Sequence, residues 1–444
     1  MAKRVYIETY GCQMNVADSE LMFGVLGRDG YERTEAPEEA DVLLVNTCAV
    51  RDNAEQRVLG RVGELQRHLR PGNLLGVVGC MAQRLGPKLL ARAPKVDLVV
   101  GPDAYRNLPE LLAQAAAGHR LADTEFRGWE HYEDVPPVRD SAPMQFVTVQ
   151  RGCDYRCTFC IVPYTRGPER SRKLEDVVRE VRALAGAGTT EVTLLGQTVN
   201  SWNDGAHDFA DLLRAVGAVD GVRRVRFTSP YPTDFTERVI EAMATTPAVC
   251  EHVHLPLQSG SNAVLKRMLR RYTREQYLAV VERLRAAMPA ITFSTDVIVG
   301  FPGETEAQFQ ETLSCIAEAD LDDAYMFLYS MREGTPAEKL VARGDAVPEV
   351  EGGARLERLI EHVRAQVRRK NIGRVGTVHE ALVERAAKRG DLMLARTRGN
   401  HMVLLDLPVS AIGEYHTVEL TGTTGSTFTG RVLAGRPIPQ LAVL

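Results

Sequence analysis

Three cysteines stand at C-x3-C-x2-C spacing in the stretch Arg151-Gly152-Cys153-Asp154-Tyr155-Arg156-Cys157-Thr158-Phe159-Cys160. A loop this short can wrap three thiolates around one metal centre. Iron–sulfur clusters usually take four cysteines, and structural zinc takes four closed ligands. The loop offers no fourth cysteine or histidine. A [4Fe-4S] cluster on it therefore keeps one iron open, which suits a reactive centre and not a purely structural one. A degenerate zinc knuckle or a chance grouping is what the triplet alone leaves open.

A second set of cysteines is spread through the first part of the chain. Cys12, Cys48 and Cys80 each follow an apolar strand-like run: Val5–Thr9, Val42–Asn46 and Leu74–Val78. Their intervals match one βαβ repeat of roughly 30 residues or more. Helical patterns begin at Ser19–Leu26 and Ala54–Leu59, and Val96–Val100 is a fourth strand. Strand–helix alternation implies a parallel sheet, whose strand C-terminal ends share the edge where open α/β folds bind ligands. Three residues distant in sequence would converge there, and Gly11 and Gly79 allow the backbone to approach closely. Inert core cysteines are the alternative; the repeated strand-end placement favours a second three-cysteine cluster site. Cys250 and Cys315 match no ligand pattern and are expected to be structural.

The positioning elements of Cys153 to Cys160 come next. From 145 to about 330 the sequence predicts six strand–helix units. The strands are Gln145–Gln150, Glu191–Leu195, Val222–Phe227, His252–Leu257, Thr292–Val299 and Ala324–Tyr329, with helical patterns such as Leu174–Val181 and Tyr277–Leu284 between them. Six units fall short of the eight that close a TIM barrel, and the cysteine loop follows the first strand, at the end where barrel chemistry sits. Residues 128–143, with Pro136-Pro137 and little apolar periodicity, read as a linker. A charged helix over about 355–370 leads to a segment of short, closely spaced strands from about 371, the texture of a small β-barrel.

The chain has 444 residues, 44% hydrophobic and 25% charged, with a net charge of −4. This is ordinary globular composition, long enough for two or three domains. It argues against a wholly basic nucleic-acid binder, not against local patches. The charged first residues look like a strand and not a signal peptide, and no apolar run approaches the ~20 residues of a membrane span, so a cytoplasmic protein is expected. Eight cysteines are too few for a disulfide scaffold, and ligation is the better account of the clustered ones.

The C-x3-C-x2-C loop with Phe159 before its last cysteine resembles the signature of radical S-adenosylmethionine (SAM) enzymes. Ile161–Gly167 and Glu169–Arg172 resemble the methylthiotransferase family in particular, as do Tyr10–Asn15, Asn46-Thr47-Cys48 and Val78–Met81. Gln13-Met14-Asn15 and Arg51-Asp52-Asn53-Ala54-Glu55 are most similar to the branch acting on isopentenyladenosine in tRNA. The branch that modifies a ribosomal protein carries a different tripeptide after its first cysteine.

The resemblance implies an α/β architecture of three parts. These are an N-terminal parallel-sheet α/β domain (1–127), then after the linker (128–143) a partial (β/α)6 TIM-like radical SAM barrel (144–370), and a small C-terminal RNA-binding β-barrel similar to TRAM domains (371–438). It implies two [4Fe-4S] clusters, on Cys153, Cys157 and Cys160 and on Cys12, Cys48 and Cys80, with SAM chelating the open iron of the first. Phe159, Gln197, Ser259 and Asp296 are the expected SAM contacts, each weighed against a role in merely holding its loop; Ile298 and Gly300 suggest adenosine contacts. Met331 and Glu333 depart from the family's more usual residues after the sixth strand.

The implied reaction is methylthiolation of C2 of N6-isopentenyladenosine beside the tRNA anticodon, by radical C–H activation, sulfur insertion and SAM-dependent S-methylation. The implied partners are tRNA, a low-potential electron donor of flavodoxin or ferredoxin type, and a sulfur donor that the residues do not name. The alternatives are the same chemistry on threonylcarbamoyl-adenosine or on a ribosomal-protein aspartate, and, in another class, a non-catalytic RNA-binding metalloprotein.

Two basic stretches are expected to border the barrel mouth and attract a polyanion. Residues 151–173 hold six Lys/Arg against two acids, and residues 259–274 hold five and no acid. In the last segment Arg374, Arg385, Lys388, Arg389, Arg396 and Arg398 are expected to meet phosphates.

Overall fold

The computed structural model describes residues 2–49, 52–388 and 390–433, without the side chains of 52–56. Arg51, the side chains after it in that motif, Arg389 and the stretch 434–438 lie outside the described residues.

The first sheet has six parallel strands: β1 (Arg4–Thr9), β2 (Glu32–Arg33), β3 (Val42–Thr47), β4 (Leu74–Gly79), β5 (Leu98–Val100) and β6 (Leu121–Asp123), in the order β2-β1-β3-β4-β5-β6. β3 and β4 are buried along their whole length, as strands covered on both faces must be. Val42 and Leu44 pack against the helices Gln13–Arg28 and Leu108–Ala116. Leu43 and Val45, pointing the other way, pack against Met81, Leu85 and Leu89. Residues 128–143 lie along the first of these faces: Tyr132 and Val135 are buried in it, and Arg139 bonds Glu20.

The second sheet system holds β7 (Met144–Thr148), β10 (Glu191–Leu195) and β11 (Arg224–Phe227), then β12 (His252–His254), β13 (Thr292–Val299) and β14 (Asp323–Leu328). All pairings are parallel, and a Val225–Val249 bridge joins the two halves. This is the open six-stranded barrel, its helices packed outside on Val147, Leu194, Phe293 and Val297. Thr273 with Gln276 and Thr305 with Gln308 form reciprocal capping boxes that start two of those helices. Between β7 and β10 in sequence lies a two-residue ribbon, β8 (Gln150–Arg151) against β9 (Arg170–Ser171), which closes the base of the cysteine loop.

The third part is a closed five-stranded barrel, β15 (Val378–Ala386), β16 (Met393–Thr397), β17 (Met402–Leu405), β18 (Tyr415–Thr423) and β19 (Thr427–Val432), ordered β15-β16-β17-β19-β18. It docks at the N-terminal ends of the six-stranded barrel. Arg224 donates to the Arg396 carbonyl at 2.8 Å and pairs with Glu380 at 2.9 Å, Arg226 donates to the carbonyls of Thr397 and Arg398, and Thr292 Oγ1 donates to the Gly399 carbonyl. Among the described residues no helix is long and apolar enough to cross a membrane.

Candidate metal centres and the interface between them

The loop from Gly152 to Glu169 is held by backbone contacts on several sides. Cys153 N–H donates to the Gly167 carbonyl at 3.1 Å, Cys160 N–H to the Cys157 carbonyl, and Thr158 N–H to the Met268 carbonyl. Gly152 has φ +77°, and a Cβ there would stand 1.9 Å from the Pro168 oxygen, so only glycine fits. Cys153 and Cys157 are buried and Cys160 half-buried. Burial pushes the Cys153 thiol up to about 11 and the Cys160 thiol up to about 12, and the neighbouring Cys157 adds to both. Three thiols that repel one another as thiolates call for a cation to hold them. Arg270 Nη1 already points at the Cys157 sulfur from 3.4 Å.

The N-terminal triad gathers at the shared edge of β1, β3 and β4. Cys12 immediately precedes the helix Gln13–Arg28, Cys48 follows β3, and Cys80 opens a short helix after β4. A Cβ on Gly11 would lie 2.6 Å from Cys48 Cβ, and one on Gly79 would lie 2.5 Å from Asn46 Oδ1. Asn15 and Asn46 lock this edge: Asn15 Nδ2 donates to Asn46 Oδ1 and to the Thr47 carbonyl, and Asn46 Nδ2 donates to the Asn15 carbonyl and to Ser19. The Cys12 thiol, hydrogen-bonded with Cys48 and lying near the charge of Arg166, is drawn down to about 6. Burial raises Cys80, and Arg166 opposes that rise.

The two triads face each other across a short, tightly packed interface. Ile161, the residue after Cys160, packs in one apolar cluster with Cys80 and Ala49. Asp18, fully buried, accepts from Arg151 at 2.9 Å and Arg166 at 2.7 Å, so one carboxylate clamps the first helix to the cysteine loop. Arg166 Nη1 is buried without a hydrogen-bond partner. On the barrel side, Met14 and Ala17 pack on Phe146 and Leu195, closing the wall formed by β7 and β10.

Both triads suit an iron–sulfur cluster by donor chemistry, all soft thiols with no fourth protein ligand. Among the described residues no three His, Cys, Asp or Glu are drawn in around a single metal ion. The fit therefore rests on donor type, burial and mutual repulsion, not on a preformed single-ion cage.

Of the expected SAM contacts, Phe159 packs edge-on to Phe301 beside Met268 and Ile298. Gln197 has a buried Oε1 without a partner, an acceptor suited to an ammonium group. Asp296 is partly open and meets His254 Nε2 at 3.2 Å, inside the open barrel. Ser259 is fully buried, and its hydroxyl meets Thr312 Oγ1 and accepts from the Ser261 N–H. Cys250 and Cys315 are buried away from both triads.

The expected basic rims need correction. Arg151 and Arg166 are spent on Asp18, Arg170 on Asp103 and Arg172 on Glu180. Arg267 bonds Gly303 and Gln308, and Arg274 pairs with Glu318. Arg374, which ends the helix Glu349–Arg374, is tied to Asp322; in the small barrel Arg396 is tied to Glu384 and Arg398 to Glu251, whereas Arg385 and Lys388 are exposed. Asp18 carries no signal in the local sequence, and Arg270 stands out there only as one of the five cations of residues 259–274.

Two family models match this chain, one in each of its first two parts. Residues 4–101 match the family described as Uncharacterized protein family UPF0004, and residues 147–316 match the Radical SAM superfamily. The tRNA-2-methylthio-N(6)-dimethylallyladenosine synthase of Koribacter versatilis (strain Ellin345) is 43% identical over 440 residues, covering 97% of this chain and 98% of that protein. The protein of the same name from Geotalea uraniireducens (strain Rf4) is 44% identical over 426 residues, 94% and 96% of the two chains. Among solved structures, the radical S-adenosylmethionine methyltransferase TsrM from Kitasatospora setae, with cobalamin and a [4Fe-4S] cluster bound, shares the fold. Its TM-score is 0.60 at 17% identity, over 78% of each chain.

Proposed function

Because this chain belongs to the family of tRNA-2-methylthio-N6-dimethylallyladenosine synthases, we propose that it methylthiolates C2 of N6-isopentenyladenosine beside the anticodon of tRNA, in the cytoplasm. Its near full-length likeness to proteins of that name carries the reading. The radical SAM family match and those names also support two [4Fe-4S] clusters and SAM as its cofactors. The relatives lend no support to threonylcarbamoyl-adenosine or a ribosomal protein as the substrate.

Cys153, Cys157 and Cys160 would hold one cluster, and Cys12, Cys48 and Cys80 the other. When bound, the first cluster with SAM supplies one-electron chemistry able to remove hydrogen from an unactivated aromatic C–H, and the second supplies sulfur. The chain's own residues position and shield. Asp18, held by Arg151 and Arg166, fixes the spacing of the triads. Gln197 Oε1 would accept from the SAM amino group, and Asp296 with His254 offers polar groups inside the barrel. Met14, Phe146 and Leu195 keep water from the β7–β10 wall. The adenine must be extruded from its stack to enter. The proposed domain limits are 1–127, 144–370 and 371–438, with 128–143 between the first two.

Anaerobic incubation of the reconstituted protein with SAM, dithionite and tRNA bearing isopentenyladenosine tests this. The expected product is the 2-methylthio nucleoside, with about eight iron atoms per chain falling to about four when Cys12, Cys48 and Cys80 are all replaced by Ala. Turnover of unmodified adenosine with equal efficiency, or iron loading indifferent to those cysteines, would count against it.

A further inference from the structure

A pocket of ≈ 570 Å³ opens on the surface behind the cysteine loop, lined by Arg156, Lys266, Arg270, Arg271, Tyr272 and Gln276 among others, with no acidic residue in its wall. Its floor is connected to the metal site. Arg270, stacked over Tyr231 and Tyr272, lines the pocket and reaches the Cys157 sulfur. We infer that this pocket docks an acidic, low-potential one-electron carrier protein of flavin or iron–sulfur type, which reduces the centre held by Cys153, Cys157 and Cys160.

Four cations around one concavity are costly to the protein alone through mutual repulsion and desolvation. Arg156, Lys266 and Arg271 have no ion-pair partner among the described residues, unlike the arginines that pin the loop to its neighbours. Of the two acids close by in sequence, Asp154 accepts from the Glu169 N–H on the other side of the loop, and Glu275 is held at the pocket's edge by Asn262, which lines it. The surface is also shaped for repeated docking. The turn after Arg267 is fixed by two backbone bonds, Leu269 N–H to the Lys266 carbonyl and Arg270 N–H to the Leu265 carbonyl, with Leu269 held at φ +55°. This is a Schellman closure with leucine where glycine is usual.

Its position separates this surface from the N-terminal triad. On the other side of the loop Ile161 packs on Cys80 of the N-terminal triad. The pocket instead lies beside Cys157, over Tyr231 and the 268–273 turn. A carrier docked there approaches the centre from the side of Cys157, through Arg270. The step is a single electron transfer: the carrier loses one electron, the centre gains it, and no atom moves. The inference rests on the functional reading only in needing a reducible centre on the loop.

The test uses full-length protein reconstituted anaerobically and a reduced flavodoxin as the probe. In Lys266→Glu/Arg271→Glu, flavodoxin Kd at about 50 mM salt should rise about tenfold or more, and the difference should shrink near 0.5 M salt. Flavodoxin-driven SAM cleavage should fall in parallel, whereas dithionite-driven cleavage, iron content and tRNA affinity should stay within about twofold. An unchanged flavodoxin affinity overturns the inference. A tenfold loss of tRNA affinity also overturns it and makes the pocket a phosphate site. Wild-type protein that cleaves SAM with flavodoxin yet leaves tRNA unmodified would defeat the functional reading while leaving this one standing.

Discussion

Replacing Asp18 by Asn should loosen the N-terminal helix from the cysteine loop. The carboxylate is fully buried and accepts from two arginines, at 2.9 and 2.7 Å, that are themselves at most 8% exposed. Asn keeps the shape but removes the charge, leaving two guanidinium groups buried with no counter-ion. Breaking a buried pair in this way costs about 3–5 kcal/mol. Over a urea slope of roughly 3 kcal/mol/M for a chain of this size, the unfolding midpoint should drop by about 1 M or slightly more. Glu39→Gln is the matched control. Its pair with Arg4 is as short, 2.6 Å, but both side chains are half exposed, so the loss should stay under about 1 kcal/mol, roughly 0.3 M. Urea unfolding followed by circular dichroism on the anaerobically purified proteins measures both. A drop below about 0.3 M for Asp18→Asn, no larger than the control, would refute the argument that burial decides the clamp's strength.

Gly152→Ala forces a Cβ to 1.9 Å from the Pro168 oxygen at φ +77°; it should cost about 2 kcal/mol or more and lower the iron content of the purified protein. Arg224→Ala removes the cation shared by Glu191 and Glu380, which keep Arg226 and Arg223; the docked edge of the small barrel should loosen, and hydrogen exchange at residues 396–399 should quicken by about tenfold. His401, half-buried against Phe428, is held down to about 3 in the folded protein by desolvation first and then by Arg374, with His379 and Lys370 adding and Asp322 opposing. Its stabilising contribution is complete above the ordinary histidine value near 6.5 and is lost as pH falls from there toward 3. The slope is about 1.4 kcal/mol per pH unit at most, and His401→Gln should flatten it in urea titrations between about pH 7.5 and 4.5.

Both cysteine triads were legible from spacing and strand-end placement, because strand direction dictates which edge holds them. The six barrel strands could be read for a similar reason: alternation of apolar runs and helical patterns survives in a single sequence. What could not be read was how the charges are spent. Arg151 and Arg166 look like a basic rim in a local count, yet their shared acid, Asp18, lies more than 130 residues earlier. Arg170 finds Asp103 across 67 residues, and Arg398 finds Glu251 across 147. Such pairs exist only once the sheets are docked. The partner of the Ser259 hydroxyl was hidden for the same reason, since Thr312 comes from a separate helix. Where local charge was not consumed, at Arg156, Lys266 and Arg271, the basic stretch persisted as a pocket.

The most direct test is mass spectrometry of tRNA nucleosides from a strain lacking this protein, complemented with the wild type or with Cys157→Ala. The account predicts that 2-methylthio-N6-isopentenyladenosine returns with the wild type, while only N6-isopentenyladenosine accumulates with Cys157→Ala. Methylthiolation restored equally by Cys157→Ala, or restored by neither, would contradict it.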